Sequence, residues 1–260
     1  MCVSRRASSG SPGYSVAVVL RARTVLVDLD DTLFDHSHSA LAGLATVRAR
    51  FDALARIDLA ELAALHAKHL EATHLRVLSG ELTLEDARSV RFRAIARDCG
   101  APSSAAAELA DAYREGYQRA RRAVPGAVEL LRALRAQARV CVVTNNLVAE
   151  QVEKLAHLEM TDLVDVLVIS EEAGVAKPDP AIFRIALARC DTPADSAVML
   201  GDSWATDILG ARAAGIRAVW LNRSNRSCPA PEQCLELISL SPTAQVVERL
   251  LGAGDPAAER

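Results

Sequence analysis

Thr24-Val-Leu-Val-Asp28-Leu-Asp30-Asp-Thr-Leu33 is the stretch on which the fold turns. An unbroken β-branched and leucine run that ends in carboxylates is the pattern of a buried parallel strand delivering acids to the C-terminal edge of a sheet. Open α/β sheets bind their ligands at that edge. Side chains alternate along an extended strand, so Asp28 and Asp30 face one site together unless the chain turns between them. Alone, the same residues would also suit a turn or a helix N-cap.

Outward from this strand the chain changes character twice. Residues 1–15 are small, polar and Gly/Pro-punctuated, with nothing to bury, and read as a disordered leader. Residues 34–122 carry helical periodicity, with Leu41, Leu44, Val47 and Phe51 on one face. Asp58-x-x-Glu61 and Thr83-x-x-Asp86 have capping-box spacing, Gly100 is placed to stop a helix, and a further helix carries Leu109, Tyr113 and Tyr117. Four helices without a strand predict an all-α insertion. From 123 to 260 strands and helices alternate, with strands expected at 139–143, 163–169, 197–200 and 216–221 and helices at 147–158, 205–214 and 244–251. That alternation predicts a doubly wound, mostly parallel Rossmann-like sheet, completed by residues 16–33 and interrupted by the inserted helical domain. The Pro/Cys/Asn-rich segment 222–242 gives no clear pattern.

With 260 residues the chain can bury a large core, and since half are apolar but only 3% aromatic, that core must be built of Ala, Leu and Val. A formal net charge of −3 argues against a nucleic-acid partner. The six cysteines are scattered without zinc-ligand spacing and read as free thiols in a reducing compartment. Arg5-Arg6 precedes an apolar stretch too short for an export signal, and no run reaches the ~20 residues of a membrane span, so a cytoplasmic protein is expected.

Three further polar clusters fall at or near predicted strand ends: Thr144 with Asn145, Lys177 in a loop entering a helix, and Asp202 with Asp207. In a parallel sheet these ends share one edge with Asp28 and Asp30. Each cluster alone is an ordinary cap, turn or solvated lysine; their joint occurrence in this order is the informative signal.

With Asp28-Leu-Asp-Asp-Thr-Leu33, Val142-Val-Thr-Asn145, Lys177-Pro-Asp-Pro180 and Gly201-Asp-Ser-Trp-Ala-Thr-Asp207, the chain resembles the haloacid dehalogenase-like hydrolase superfamily. The resemblance runs from about Val25 to Leu221, and the helical insertion stands where that family carries its cap. It implies Asp28 as nucleophile towards phosphorus, forming an aspartyl phosphate. It implies Mg²⁺ held by Asp28, Asp202 and the main-chain carbonyl of Asp30. Lys177, the Thr144 hydroxyl and the Asn145 main-chain N–H would stabilise the transferring group. Asp30 would be the general acid, a group that separates the family's phosphatases and phosphomutases from its dehalogenases. Asp207 would orient Lys177 or a metal-bound water. Asp31, Thr32 and Asp179 read as structural. The expected activity is therefore hydrolysis of a small phosphorylated metabolite by a monomer or homodimer with no membrane partner, with a phosphomutase or a non-catalytic phospho-acceptor module as the alternatives. Specificity is expected to reside in 34–122, where one or two arginines could meet an anionic substrate.

Overall fold

The computed structural model describes residues 22–231 and 235–252; the leader at 1–15 and the end of the tail lie outside them. Strand β1 (Thr24–Val27) is followed by helices α1 (His36–Arg50), α2 (Asp52–Ala55), α3 (Leu59–Leu78), α4 (Leu84–Asp98) and α5 (Ala106–Arg119). The chain continues through α6 (Ala127–Arg135), β2 (Arg139–Thr144), α7 (Val148–His157), β3 (Val166–Ile169), α8 (Ser170–Ala173) and α9 (Pro180–Arg189). It ends with β4 (Ala197–Gly201), α10 (Leu209–Ala213), β5 (Arg217–Leu221), β6 (Leu235–Leu237) and α11 (Thr243–Leu251).

The strands form one parallel sheet in the order β3-β2-β1-β4-β5-β6, with β1 near its middle. Val27 lies opposite both Val142 and Leu200, so the three central strands end nearly level and their following residues share one edge. Alternation is visible in the core: Val25 and Val27 join Val140 and Val142 beneath α6 and α11, whereas Leu26 joins Cys141 and Val143 beneath α9. Each such side chain, when fully buried, contributes ~1.5–3 kcal/mol, so short strands covered on both faces suffice.

The inserted helices have a separate core around Leu44, Leu62, Phe92, Ile95 and Leu109. Thr83 caps α4, its hydroxyl accepting from Asp86 N at 3.1 Å, and Asp179 caps α9, accepting from Ala181 N at 2.8 Å. Two crossings tie the insertion to the sheet side by side. Asp35 N donates to Arg122 O at 3.0 Å and Val124 N to Leu33 O at 2.8 Å. The Asp35 carboxylate is buried between Arg122 at 2.7 Å and Arg223 at 3.1 Å.

Among the described residues the insertion holds five α-helices rather than the four expected, the extra one being the single turn α2, and two further elements differ from the sequence reading. Strand β6 lies in the segment that gave no pattern, held by Asn222, whose main-chain N–H donates to Leu237 O at 2.7 Å. The helix expected from Ala205 opens instead as a π-helical turn, Trp204–Ile208, before α10. Its wider winding accompanies Asp207 folding back to accept from Ser203 N at 3.0 Å. A Cβ at Gly201 would collide with that carboxylate, which gives this glycine its steric reason.

Candidate active site

The leading edge of β1, β2 and β4 gathers the polar clusters. Asp28 follows β1 directly, and its main-chain N–H still donates to Leu200 O at 2.9 Å. Its Oδ1 accepts from Lys177 Nζ at 2.6 Å and its Oδ2 from the Thr32 hydroxyl at 3.2 Å. Thr32 in turn accepts from Asp202 N at 3.2 Å, so it fastens the turn after β1 to the end of β4. Asp31, at φ 61°, holds the first turn of α1 through Ser37 N and Oγ. Both residues are structural, as expected.

Lys177 is buried and central. Its Nζ donates to Asp28 and to Val143 O at 2.8 Å, and lies 2.6 Å from Asp207 Oδ1. The Asn145 side chain clamps the lysine's backbone, Oδ1 accepting from Lys177 N at 2.8 Å and Nδ2 donating to Lys177 O at 2.9 Å. Asn145 therefore positions Lys177 through its amide, a role distinct from the main-chain contact that sequence suggested.

Charge is unbalanced at this edge. Burial, opposed by Lys177 but reinforced by Asp207 and Asp30, raises the Asp28 carboxyl to about 7. Burial with the charges of Asp28, Asp207 and Asp31 raises Asp202 to about 8. Although burial disfavours its charge, Lys177 is held firmly protonated by Asp207 and Asp28. One lysine faces three carboxylates whose oxygens lie within 4.8 Å of one another. Asp207 Oδ1 is buried without an aligned hydrogen bond, and among the described residues no cation pairs with the Asp202 carboxylate, Arg226 donating instead to its main-chain O at 3.1 Å. An all-oxygen set with excess negative charge fits a hard divalent cation.

Asp30 lies at the same edge with a different partner. Lys154 Nζ donates to its two oxygens at 2.6 and 2.8 Å, and Gln151 Nε2 donates to Oδ2 at 3.1 Å. Burial alone would raise this carboxyl, but Lys154, His36 and the hydrogen bonds outweigh it and hold it at about 2. As found, Asp30 is an ionised carboxylate, and its contact with Lys154 disfavours the protonated acid. Gln151 also donates to the Thr144 hydroxyl at 2.6 Å, leaving that hydroxyl's own proton free to donate. Neither Gln151 nor Lys154 stood out in the sequence. The available signal was their i, i+3 spacing on the helix that leaves Thr144-Asn145.

Asp30 and Asn145 open onto a cavity of about 520 Å³, roofed by α3, α4 and α5 and floored by α7. Tyr117 and His36, joined by a hydrogen bond of 3.0 Å, stand in its wall near Asp30. Its volume suits a small metabolite. Among the described residues no helix is long and apolar enough to cross a membrane, and Cys99, Cys141, Cys190 and Cys228 are free.

Known proteins resemble this chain over most of its length. A sequence profile of haloacid dehalogenase-like hydrolases matches residues 22–215. The ribulose-1,5-bisphosphate 5-phosphatase of Halopiger xanaduensis is 34% identical over 209 residues, 79% of this chain and 87% of that protein. The phosphoserine phosphatase of Thermus thermophilus is 32% identical over 231 residues, 78% and 90% of the two chains. Pyrimidine 5'-nucleotidase YjjG of Escherichia coli is 45% identical over 107 residues, which are 41% of this chain and about half, 48%, of that relative. The magnesium-bound crystal structure of the HAD-hydrolase YfnB from Bacillus subtilis shares the fold, with TM-score 0.69 at 23% identity, covering 88% of this chain and 99% of that one.

Proposed function

This chain belongs to the haloacid dehalogenase-like hydrolase family, and on that premise we propose that it is a Mg²⁺-dependent phosphatase of a small phosphorylated metabolite, acting through a phosphoaspartate on Asp28. The observation that carries the reading is the pairing of a buried Asp28 on Lys177 with a second carboxylate, Asp30, that lines the substrate-sized cavity.

The Asp28 carboxylate attacks phosphorus and displaces the alcohol; water then cleaves the acyl phosphate and returns the free carboxylate. Lys177, fixed between Asp28 and Asp207, presents a positive charge to the transferring group. The Thr144 hydroxyl and Asn145 main-chain N–H donate to its oxygens. Asp30 protonates the leaving oxygen and takes a proton from the attacking water. Both halves of that work pass through the protonated carboxyl, so each requires Asp30 to loosen its contact with Lys154. Asp28, Asp202 and the Asp30 carbonyl would hold Mg²⁺, which when bound supplies charge neutralisation between two anions. Residues 34–122 serve as the cap that excludes water and selects the leaving group.

Phosphate release from p-nitrophenyl phosphate and a panel of sugar phosphates and nucleotides, with and without Mg²⁺, tests this. We expect metal-dependent turnover that falls to background in Asp28→Asn. Asp30→Asn should lose ~10²–10⁴-fold. Metal-loaded, folded protein that releases no phosphate from any substrate would contradict the proposal.

A further inference from the structure

The roof of the cavity contains a half-buried cation without an ion-pair partner. Lys154, Arg114 and Arg121, which line it, have acid partners in Asp30, Asp111 and Glu153, and Arg88 has Glu150 at 3.8 Å. Arg91 has none within 4.0 Å among the described residues, and its Nε is buried without a hydrogen-bond partner. Its guanidinium rests over the rings of Phe92 and Tyr113, 5.5 and 5.9 Å from their centroids. Beside it in the same wall, His66 is buried and stacked on Tyr113 at 4.8 Å, and its Nε2 is also unpartnered. Burial, then the nearby Arg91 charge, push that imidazole down to about 3, so it is neutral, and its Nε2–H tautomer is a hydrogen-bond donor.

Arg91 Nε and His66 Nε2 are wholly buried, and a buried polar nitrogen left without a hydrogen-bond partner is costly. The ring contacts offset part of this cost but supply no acceptor. Two donors without acceptors on one wall of a cavity form a receptor for an anion.

We propose that Arg91 and His66 form a second anion subsite, so that the substrate carries a carboxylate or a second phosphate at the end remote from the phosphoryl group attacked by Asp28. This deepens the phosphatase reading and rests on it. The substrate is then a phosphorylated acid or a bisphosphate of a size that spans the cavity, rather than a phosphomonoester with a neutral tail. His36 and Asp30 line the cavity beside the chemistry, and Arg91 and His66 line its roof.

The test compares substrates that differ only in the remote group: 3-phosphoglycerate against glycerol 3-phosphate for a carboxylate, and fructose 1,6-bisphosphate against fructose 1-phosphate for a phosphate. The wild-type chain should favour the anionic member of at least one pair by ~10–100-fold in kcat/KM, and the pair that shows it identifies the anion. Arg91→Gln should remove most of that preference and Arg91→Lys should keep part of it. Equal rates within both pairs would overturn the inference, and that comparison needs no variant to fold. So would an Arg91→Gln variant that slows both members alike. If p-nitrophenyl phosphate is hydrolysed but neither preference exists, this inference alone fails; if no phosphate is released from anything, the phosphatase reading fails with it.

Discussion

At the scale of single residues, the site separates two carboxylates by giving each its own lysine. Asp28 shares Lys177 with Asp207 and is raised to about 7, while Asp30 has Lys154 to itself and is held at about 2. The contrast makes Lys154 a residue whose removal has a signed effect. Lys154→Met should let burial dominate at Asp30 and raise its carboxyl, moving the acid limb of the kcat–pH profile to higher pH. An unmoved limb would mean that Asp30 is not the group titrating in the rate. The residues at the strand ends were legible because they follow strongly patterned β-runs: Asp28 and Asp202 come together, joined by Lys177 from its loop, and Thr144 is linked to Asp30 through Gln151. Gln151 and Lys154 were not, because a polar face on a helix is usually a solvated one, and only the packing of α7 against Asp30 turns this one inward. Asn145 also clamps Lys177 through its side-chain amide, a contact that depends on the position of the Lys177 backbone and that no sequence spacing reveals.

At the scale of elements, we propose that the cap spans 34–122 and hinges on the paired crossings at Asp35 and Arg122. Asp35 is 2% exposed and its two arginines are 52% and 28% exposed, so solvent screens part of the attraction. Hydrogen bonds to charged groups are worth about 1.5–3 kcal/mol, and the exposure of Arg122 puts Asp35→Asn near the lower end, about 1–2 kcal/mol of destabilisation. A shift of the urea midpoint at unchanged m-value checks it. Although burial opposes its charge, the Arg122 and Arg223 hydrogen bonds lower the Asp35 carboxyl, so this contribution is present above its ordinary 3.8 and is lost at lower pH. The capping signals at Thr83 and Asp179 were readable because they are local. The π-helical turn was not, because it depends on Asp207 reaching back across the chain, and β6 escaped because three residues are too few to show a period and are fixed by Asn222 and the edge of β5.

At the scale of the whole molecule, the acid cluster couples stability to metal and pH. Raised carboxyls mean that the folded, metal-free chain binds protons that the unfolded chain has released, so stability falls as pH rises from the ordinary 3.8 towards about 7 to 8. His66 and His74, lowered by burial first, act in the opposite sense below their ordinary 6.5, which leaves about pH 6.5–8 as the window where the carboxylates dominate. Across it, Tm without metal should fall, and added Mg²⁺ should raise Tm most at the upper end, where no proton competes for Asp28 and Asp202. A metal-independent Tm throughout would contradict the assignment of these residues to a cation. The doubly wound architecture was legible from the alternation of runs, and the cap from the change of period after the first acid pair. The cavity between them was not, because it exists only once α3, α4 and α5 are folded over α7.

The most direct test of Asp28 as nucleophile is chemical trapping. Metal-loaded protein turning over p-nitrophenyl phosphate is quenched rapidly with borohydride, which reduces an acyl phosphate to the alcohol, and the peptides are read by mass spectrometry. Conversion of Asp28 to homoserine, dependent on substrate and absent from Asp28→Asn, is the predicted result. Full phosphate release with Asp28 unmodified and the Asp28→Asn variant still active would contradict the account.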